Sequence, residues 1–393
     1  MFFEAPAEVV APLPKVVPPH ARGYTAPVSR LVLRYPGRAI HCVVDMRLGA
    51  LAVLGSSVRR ATGATRVVVV ADPRADALYG DAARRSLRRA GIDAERILVP
   101  RGERSKRPAQ LVRLWNAFAG LELERGDAIV ALGGGVVGDL AGFAAATWMR
   151  GVPWVGVPTT VVAQVDSGIG GKTAIDLAAG KNLAGAFHHP AAVLVDPELL
   201  RSLRPREFRA GLAEVAKVGF ATDASLFRAL ERNAPRIAAR EPGVLLDTIR
   251  GAIRAKARVV TRDEREREGG VRAALNFGHT LGHALETAVG YRGLRHGEAI
   301  AIGMRVAARL SERVAGLEAR DRARLDALLD AWELPGRIPA LEASALERAM
   351  RHDKKRRGRI RWVLTPRLGH ASLPRLVSAR IVRAALLEAG ATA

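Results

Sequence analysis

The sequence contains one cysteine, Cys42, among 393 residues, so no disulfide can form within the chain. A lone cysteine is typical of a reducing compartment, and we expect a cytoplasmic protein. Aromatic residues make up only 5% of the sequence, and no zinc-finger spacing occurs. No apolar run approaches the ~18 residues that a membrane helix needs. We therefore expect no membrane partner.

Acidic residues are scarce relative to basic ones. The chain has 62 Lys+Arg against 39 Asp+Glu, a formal net charge of +23. Such an excess can attract nucleic acid or a small anionic substrate. The basic residues are scattered, apart from "RHDKKRRGRIR" at 351–361. We therefore expect no nucleic-acid partner, while an anionic substrate stays open.

The sequence pattern divides the chain into three parts. Residues 1–27 have several prolines and no basic flank before an apolar block, which predicts a loose extension rather than a signal peptide. From 28 to 204, short β-branched runs alternate with helical patterns, typical of an α/β domain with a Rossmann-like, mostly parallel sheet. From 205 to 393 the patterns predict a mainly α-helical domain. Strands are predicted at 66–72, 96–100, 127–135, 153–158 and 192–196.

A glycine motif follows the predicted strand at 127–135. Gly133, Gly135 and Gly138 fit the G-x-G-x-x-G spacing and open a helical pattern, which favours a pyrophosphate at the helix N-terminus. A tight turn that packs a helix on the sheet is the structural alternative. The acid expected about 20 residues later is missing, but Asp72 ends an earlier strand and is an alternative ribose ligand.

Two further stretches carry clustered polar residues. "GLAEVAK" places Glu214 and Lys217 three apart on one helix face. With His279 and His296, Glu214 makes the ligand set of a catalytic zinc site. No H-E-x-x-H motif occurs, so the three ligands must converge from separate elements. Polar groups on a solvated helix face are the alternative. The glycine-rich stretch at 157–182 predicts either a phosphate-binding loop or a surface loop.

As a set, these stretches resemble 3-dehydroquinate synthase, a family of the sugar phosphate cyclase superfamily, over about residues 30 to 390. The resemblance is carried by "ALGGGVVGDLAGFAAATWMRG", "VPTTVVAQVDSGIGGKTAIDLAAGKN", "GLAEVAK", "GGVRAALNFGHTLGHALE", "RHGEAIAIGM" and "DKK", in this order along the chain.

The resemblance implies two bound cofactors, NAD and one divalent metal, zinc or cobalt. The implied metal ligands are Glu214, His279 and His296. The implied NAD contacts are Asp72, Glu103, Lys106, Gly134, Gly135, Val136, Asp139, Thr159, Thr160, Lys172 and Lys181.

The resemblance also implies groups that act on a phosphorylated keto-acid sugar. The implied catalytic residues are Asp166, Lys217, Lys256, Arg272, Asn276 and His283. The implied substrate-binding residues are Arg150, Lys172, Asn182, Lys354 and Lys355. Within these sets, Lys256 and Arg272 hold the carboxylate, and Asn276 and His283 hold the phosphate. Arg150 reaches the neighbouring subunit's phosphate site, which implies a homodimer.

The implied enzyme is a phosphorus–oxygen lyase of the shikimate pathway. It converts 3-deoxy-D-arabino-heptulosonate 7-phosphate to 3-dehydroquinate and phosphate by transient NAD-dependent oxidation, phosphate elimination, reduction and aldol closure. Arg74 stands where family members often have asparagine, which leaves open whether the cofactor is NAD or NADP. The stretch "DEREREGG" carries two extra residues before Arg272.

Two other enzyme classes are the alternatives. A sister cyclase such as 2-epi-5-epi-valiolone synthase acts on sedoheptulose 7-phosphate, which has no carboxylate for Lys256 and Arg272 to bind. A metal-dependent alcohol dehydrogenase of related architecture would bind NAD and metal, but its substrate would give the site lysines no anionic partner.

Overall fold

The computed structural model describes residues 29–34, 41–267, 269–290, 293–353 and 360–393. The chain forms two compact units that divide between Ser202 and Leu203. The predicted boundary after residue 204 lies beside this division. The predicted extension at 1–27 lies outside the described residues.

The first unit is built on a seven-stranded sheet in the order β1-β2-β9-β6-β5-β3-β4. Strand β1 is antiparallel to β2, and the other neighbouring strands are parallel. Strands β7 and β8 form a separate antiparallel hairpin. The strands of this unit are β1 (Ser29–Arg34), β2 (His41–Met46), β3 (Arg66–Ala71), β4 (Asp93–Leu98), β5 (Ala128–Gly133), β6 (Trp154–Pro158), β7 (Lys172–Leu177), β8 (Gly180–Phe187) and β9 (Ala192–Val195).

Helices cover both faces of this sheet. Successive side chains of a strand point to opposite faces; in β3, Val67 and Val69 belong to one hydrophobic core and Val68 and Val70 to the other. The first core includes residues of α1 and α3, and the second includes residues of α4 and α5. The helices of this unit are α1 (Leu54–Thr62), α2 (Pro73–Ala75), α3 (Asp81–Arg89), α4 (Pro108–Gly120) and α5 (Gly135–Thr147).

The predicted Rossmann-like domain is confirmed. All five predicted strands are present as β3, β4, β5, β6 and β9, although β4 begins at Asp93, before the predicted residue 96. The glycine-rich stretch at 157–182 is more ordered than a loop, because it contributes β7 and part of β8.

The second unit is mainly helical, as predicted. Prolines start α6 and α8, where the missing N–H costs no hydrogen bond. No helix in the described part of the chain is long and apolar enough to cross a bilayer. The elements are α6 (Pro205–Thr222), α7 (Ala224–Ala238), α8 (Pro242–Val260), α9 (His279–Ala288), α10 (His296–Val314), α11 (Ala319–Ala331), α12 (Ala343–Asp353), α13 (Ala379–Glu388) and the short antiparallel pair β10 (Arg361–Trp362) and β11 (Arg375–Leu376).

Glycines let the backbones of α9, α10 and α6 approach closely. A Cβ added at Gly303 of α10 would lie 2.1 Å from the carbonyl oxygen of Gly278, the residue before α9. A Cβ at Gly297, in the first turn of α10, would lie 1.7 Å from the carbonyl oxygen of Ala210 in α6. Gly278 itself has φ of 82°, which glycine adopts without steric cost. The first residues of α9 and α10 are thereby held close to α6.

We expect Gly303→Ala to destabilise the second unit by about 1–3 kcal/mol, because the new methyl group must push α10 away from the backbone before α9. Urea-induced unfolding measures this loss. Gly120→Ala is the matched control, because no atom lies within 4 Å of a Cβ at that helical position. Equal stability of the two variants would contradict the close approach.

Candidate active site

The glycine motif forms the turn between β5 and α5. Gly134 precedes α5, and its carbonyl oxygen accepts hydrogen bonds from the backbone N–H groups of Val137 and Gly138 at 3.0 and 3.1 Å. No side chain caps the start of this helix. An N-terminus of this kind favours the negative charge of a phosphate group.

Neighbouring atoms fill the space that side chains at this turn would need. A Cβ on Gly135 would lie 2.7 Å from Ser167 Oγ, and one on Gly133 would lie 2.6 Å from a methyl carbon of Val137. A cavity opens beside the turn and combines backbone amides with charged side chains. Its lining includes Gly134, Gly135, Gly138, Asp139, Ser167 and Lys172.

Lys106 joins several predicted cofactor contacts into one network. Its ammonium group donates to Asp139 Oδ2 at 2.7 Å and to the side-chain oxygen of Asn182. The Oε1 atom of Glu103 lies 3.7 Å from Lys106 Nζ and 3.9 Å from Lys181 Nζ. Burial alone would lower the pKa of Lys106, but the charges of Asp139 and Glu103 outweigh it and raise the pKa. Burial raises the pKa of Asp139 to about 6, although Lys106 opposes that shift.

Asp72 lies next to the glycine turn. It follows β3, in which Ala71 pairs with Leu132 of β5, and its carboxylate accepts two backbone N–H groups of α2 at 2.9 and 3.2 Å. Arg74 is the residue whose identity leaves the choice between NAD and NADP open. Its guanidinium group donates to the carbonyl oxygen of Ser202 at 2.6 Å. The structure therefore engages Arg74 in a contact within the first unit.

The other predicted cofactor residues lie at the same end of the sheet. Val136 is in the first turn of α5. Thr159 follows β6 and donates its backbone N–H to the carbonyl oxygen of Gly133 at 2.8 Å. Thr160 is the next residue. Asp166, a predicted catalytic residue, lies in the π-helical turn that follows.

Arg150, which the resemblance places at the neighbouring subunit's phosphate site, lies away from these contacts. It lies in a 3₁₀ turn that follows the C-terminal end of α5 and is exposed. Since α5 has 13 residues, its length of about 20 Å separates Arg150 from the glycine turn. The structure does not bring Arg150 to the predicted cofactor contacts.

In the second unit, Glu214, His279 and His296 converge. One ligand atom from each lies within 4.8 Å of the other two. His296 Nε2 is 3.2 Å and His279 Nε2 is 3.8 Å from Glu214 Oε1. The other carboxylate oxygen of Glu214 forms an ion pair with Lys217. A buried carboxylate and two imidazoles are a donor set that zinc prefers.

Contacts from outside the cluster fix the helices that carry it. Arg206 of α6 makes two hydrogen bonds to Glu298, at 2.5 and 2.7 Å, and so ties the first turn of α10 to α6. His296 is the first residue of that turn. Phe277, shortly before α9, stacks on Phe220 of α6 with ring centroids 5.5 Å apart.

The electrostatics of Glu214 and His279 suit a bound cation, whereas His296 must release a proton to bind one. Burial would raise the pKa of Glu214, but Lys217 and the two histidines lower it well below its usual range. Burial, followed by Lys217, lowers the pKa of His279, which keeps that ring in the neutral form that binds metals. Burial also opposes protonation of His296, but hydrogen bonds to Glu214 and Glu286 outweigh it and raise the pKa to about 10.

Three of the predicted carboxylate and phosphate contacts lie on two packed elements, α8 and a 3₁₀ turn at Val271–Asn276. Lys256 of α8 and Arg272 of the turn are 5% and 4% exposed. Arg272 donates to the backbone carbonyl oxygen of Glu264. Asn276 donates its amide N–H to the carboxylate of Glu266.

His283 lies one turn after His279 on α9. Its ring centroid is 5.2 Å from that of His279 and 6.2 Å from that of His296, so the structure brings it to the cluster. The predicted substrate lysines Lys354 and Lys355 lie outside the described residues.

The sequence prediction missed two residues of these sites. Glu286 accepts a hydrogen bond from His296 Nδ1 at 3.1 Å, and Ser167 lines the cavity at the glycine turn. Glu286 lies seven residues after His279, which places both on one helix face. That spacing is the signal that could have indicated Glu286. No comparable signal marks Ser167.

Comparisons with known proteins decide the family. The model for the 3-dehydroquinate synthase N-terminal domain matches residues 96–210, and the model for the C-terminal domain matches residues 211–356. The chain is 47% identical to 3-dehydroquinate synthase of Symbiobacterium thermophilum over 340 residues, which cover 85% of this chain and 94% of that protein. This chain belongs to the 3-dehydroquinate synthase family.

Solved structures of sister cyclases share the fold of this 3-dehydroquinate synthase family member. The 2-epi-5-epi-valiolone synthase of Streptomyces hygroscopicus, with NAD⁺ and Zn²⁺ bound, is 26% identical with a TM-score of 0.80 and covers 90% of this chain and 98% of its own. A 2-deoxy-scyllo-inosose synthase with carbaglucose-6-phosphate, NAD⁺ and Co²⁺ is 25% identical with a TM-score of 0.82 and covers 92% and 100%.

The family, the fold class and the enzyme class predicted from the sequence are thereby confirmed. Family membership also argues against the alcohol dehydrogenase alternative. The roles of individual site residues stay predictions, although the structure gathers most of them into the glycine-turn network and the Glu214 cluster.

We compare the free energy of unfolding of the protein with that of an Asp139→Asn variant. The value for the protein minus that for the variant should fall as pH rises from about 4 to 6. The folded state holds the Asp139 proton up to a pKa of about 6, against 3.8 in the unfolded chain, so raising the pH through this window favours the unfolded state. The difference reaches about 3 kcal/mol at most. Denaturant unfolding of both proteins over a pH series measures it.

Asp81→Asn is the control, because the side chain of Asp81 is 80% exposed. If the stability curves of the protein and Asp139→Asn run parallel between pH 4 and 7, burial of the Asp139 carboxyl group does not shift its titration.

Proposed function

We propose that this protein is a working 3-dehydroquinate synthase, which converts 3-deoxy-D-arabino-heptulosonate 7-phosphate to 3-dehydroquinate and phosphate. The observation that carries the proposal is the convergence of Glu214, His279 and His296 within 4.8 Å. It occurs in a chain whose residues 96–210 and 211–356 match the N-terminal and C-terminal domains of that family.

We assign one divalent metal, zinc or cobalt, to the Glu214 cluster. One carboxylate and two imidazoles leave a coordination position open, as catalytic zinc sites do. The Nδ1 atom of each imidazole faces an oxygen acceptor: Phe277 O at 3.4 Å for His279 and Glu286 at 3.1 Å for His296. Each Nε2 atom is therefore the one directed to the ion.

We assign NAD to the cavity at the glycine turn. The uncapped N-terminus of α5 and the glycines suit the pyrophosphate, while Asp72, Asp139 and the Lys106 network offer partners for the ribose hydroxyls. When bound, the metal supplies Lewis acidity at the C5 hydroxyl of the substrate, and NAD supplies a reversible hydride acceptor.

The remaining side chains bind and orient the substrate. Lys217 keeps a positive charge beside Glu214, which stabilises negative charge that develops on the substrate oxygen. Lys256 and Arg272 are buried cations on packed elements, and the planar guanidinium of Arg272 suits a carboxylate. Asn276 and His283 hold the phosphate, which the substrate-binding lysines help to neutralise.

We further propose a cytoplasmic homodimer in which Arg150 completes the phosphate site of the partner subunit. Met149, Arg150 and Gly151 have consecutive positive φ angles of 47°, 69° and 123°, a strained conformation of the kind found at functional segments. Leu183 and Phe187 of β8 are 60% and 37% exposed and offer apolar surface to a second copy. The cytoplasmic location rests on the single, unbridged cysteine.

An assay with the heptulosonate phosphate, catalytic NAD⁺ and zinc tests the activity. We expect equimolar phosphate and 3-dehydroquinate without net NADH. Phosphate release from sedoheptulose 7-phosphate, with no turnover of the heptulosonate, would assign the protein to the sister cyclases instead.

We expect Arg272→Ala to lower kcat/KM for the heptulosonate at least ~100-fold, because a buried charged hydrogen bond to the carboxylate is lost. Binding of an analogue without the carboxylate should weaken far less. Arg250→Ala, which removes another buried arginine of this unit, controls for general destabilisation. Equal losses for both ligands in Arg272→Ala would contradict the carboxylate assignment.

A further inference from the structure

His296 lies between two carboxylates. Its Nε2 atom is 3.2 Å from Glu214 Oε1, and its Nδ1 atom is 3.1 Å from Glu286 Oε2. The two nitrogens of an imidazole point away from each other on opposite sides of the ring. When Nε2 has given up its proton, as metal binding requires, a proton on Nδ1 that is donated to Glu286 leaves the Nε2 lone pair directed at the Glu214 cluster.

One face of α9 carries the groups that make this arrangement. His279, His283 and Glu286 follow the i, i+4, i+7 spacing, which repeats every two helical turns. The close approach of α10 to α9 at Gly303 brings Glu286 to the first residue of α10, His296. Thus α9 supplies one predicted ligand directly and contacts the second through Glu286.

The two predicted histidine ligands are oriented by different kinds of acceptor. The partner of His279 is the backbone carbonyl oxygen of Phe277 at 3.4 Å, which no substitution removes. The partner of His296 is a side chain that is 8% exposed. Burial of a carboxylate to that degree carries a desolvation penalty, which destabilises the fold unless hydrogen-bond or charged partners compensate for it.

We propose that Glu286 is a positioning residue for the metal site, which fixes the tautomer and ring orientation of His296. The inference rests on the proposed assignment of a divalent metal to Glu214, His279 and His296. Acceptors of this kind raise the basicity of the ligand nitrogen, and their loss typically weakens metal binding about 10–100-fold. Glu286 itself touches neither substrate nor cofactor in this role.

The test measures Zn²⁺ affinity of the full-length, metal-free protein by competition with a chromophoric chelator. We expect Glu286→Ala to weaken zinc binding about 10–100-fold. Glu286→Gln should lose less, because its amide oxygen still accepts the Nδ1 proton while the charge is gone. The absorption spectrum of the Co²⁺-loaded protein should change in Glu286→Ala and remain close to that of the parent in Glu286→Gln.

Asp321→Ala is the matched control, because Asp321 is also a buried carboxylate, 9% exposed, and it pairs with Arg324 on α11. It should lower the unfolding temperature of the metal-free protein and leave zinc affinity unchanged. If Glu286→Ala behaves in the same way, Glu286 is structural only and the inference is wrong, while the proposed function stands. If the parent protein itself binds no zinc or cobalt, the metal assignment and the inference both fail.

Discussion

The second unit is arranged around a charge that has no contact with solvent, the carboxylate of Glu214. Removing such a charge from water costs several kcal/mol unless partners compensate for it. Lys217 compensates from the next turn of the same helix, whereas the two histidines come from the first residues of α9 and α10. An incomplete cluster would leave a buried charge unbalanced, so both helix starts must be held in place. Because a divalent ion adds the positive charge that this donor set favours, metal binding should stabilise the fold as well as serve the chemistry.

Glycines allow close packing of the backbone at both sites. In the first unit, glycines at the end of β5 and the start of α5 let the side chains of Val137 and Ser167 pack where a Cβ would lie. In the second unit, Gly297 and Gly303 allow helix backbones to touch, and so place two histidines near one carboxylate. In both units, the absence of a glycine side chain lets neighbouring groups pack against the backbone. This packing fixes the elements that carry the charged residues. The arginine clamp from Arg206 to Glu298 then fixes the geometry that close packing permits.

The sequence predicts the parts of the fold that depend on local patterns. Buried parallel strands such as β3 appear as runs of valine, and the glycine turn has a recognisable spacing. Strands β1 and β2 are missed, because alternate residues of β1 are exposed and Asp45 interrupts the apolar run of β2. The partners of Arg74 and His296 are missed for a different reason. Ser202 is 128 residues from Arg74, and the packing of α10 against α9 decides which carboxylate meets His296. The metal ligands themselves are predicted from family motifs, since helical spacing relates none of the three to another.

The choice of substrate within the superfamily depends on far fewer residues than the fold does. The sister cyclases share the fold at 25–26% identity, and their structures hold NAD⁺ with zinc or cobalt, so neither the fold nor the cofactors can distinguish the reactions. A substrate carboxylate is the chemical difference, and it requires positive charge at one fixed position. Arg272 is buried, and the backbone carbonyl group of Glu264 accepts a hydrogen bond from its guanidinium group, so the arginine is oriented by a group that substitution cannot remove. Under the proposed assignment of Lys256 and Arg272 to this carboxylate, a change of specificity toward a sugar phosphate without a carboxylate has to alter these two residues.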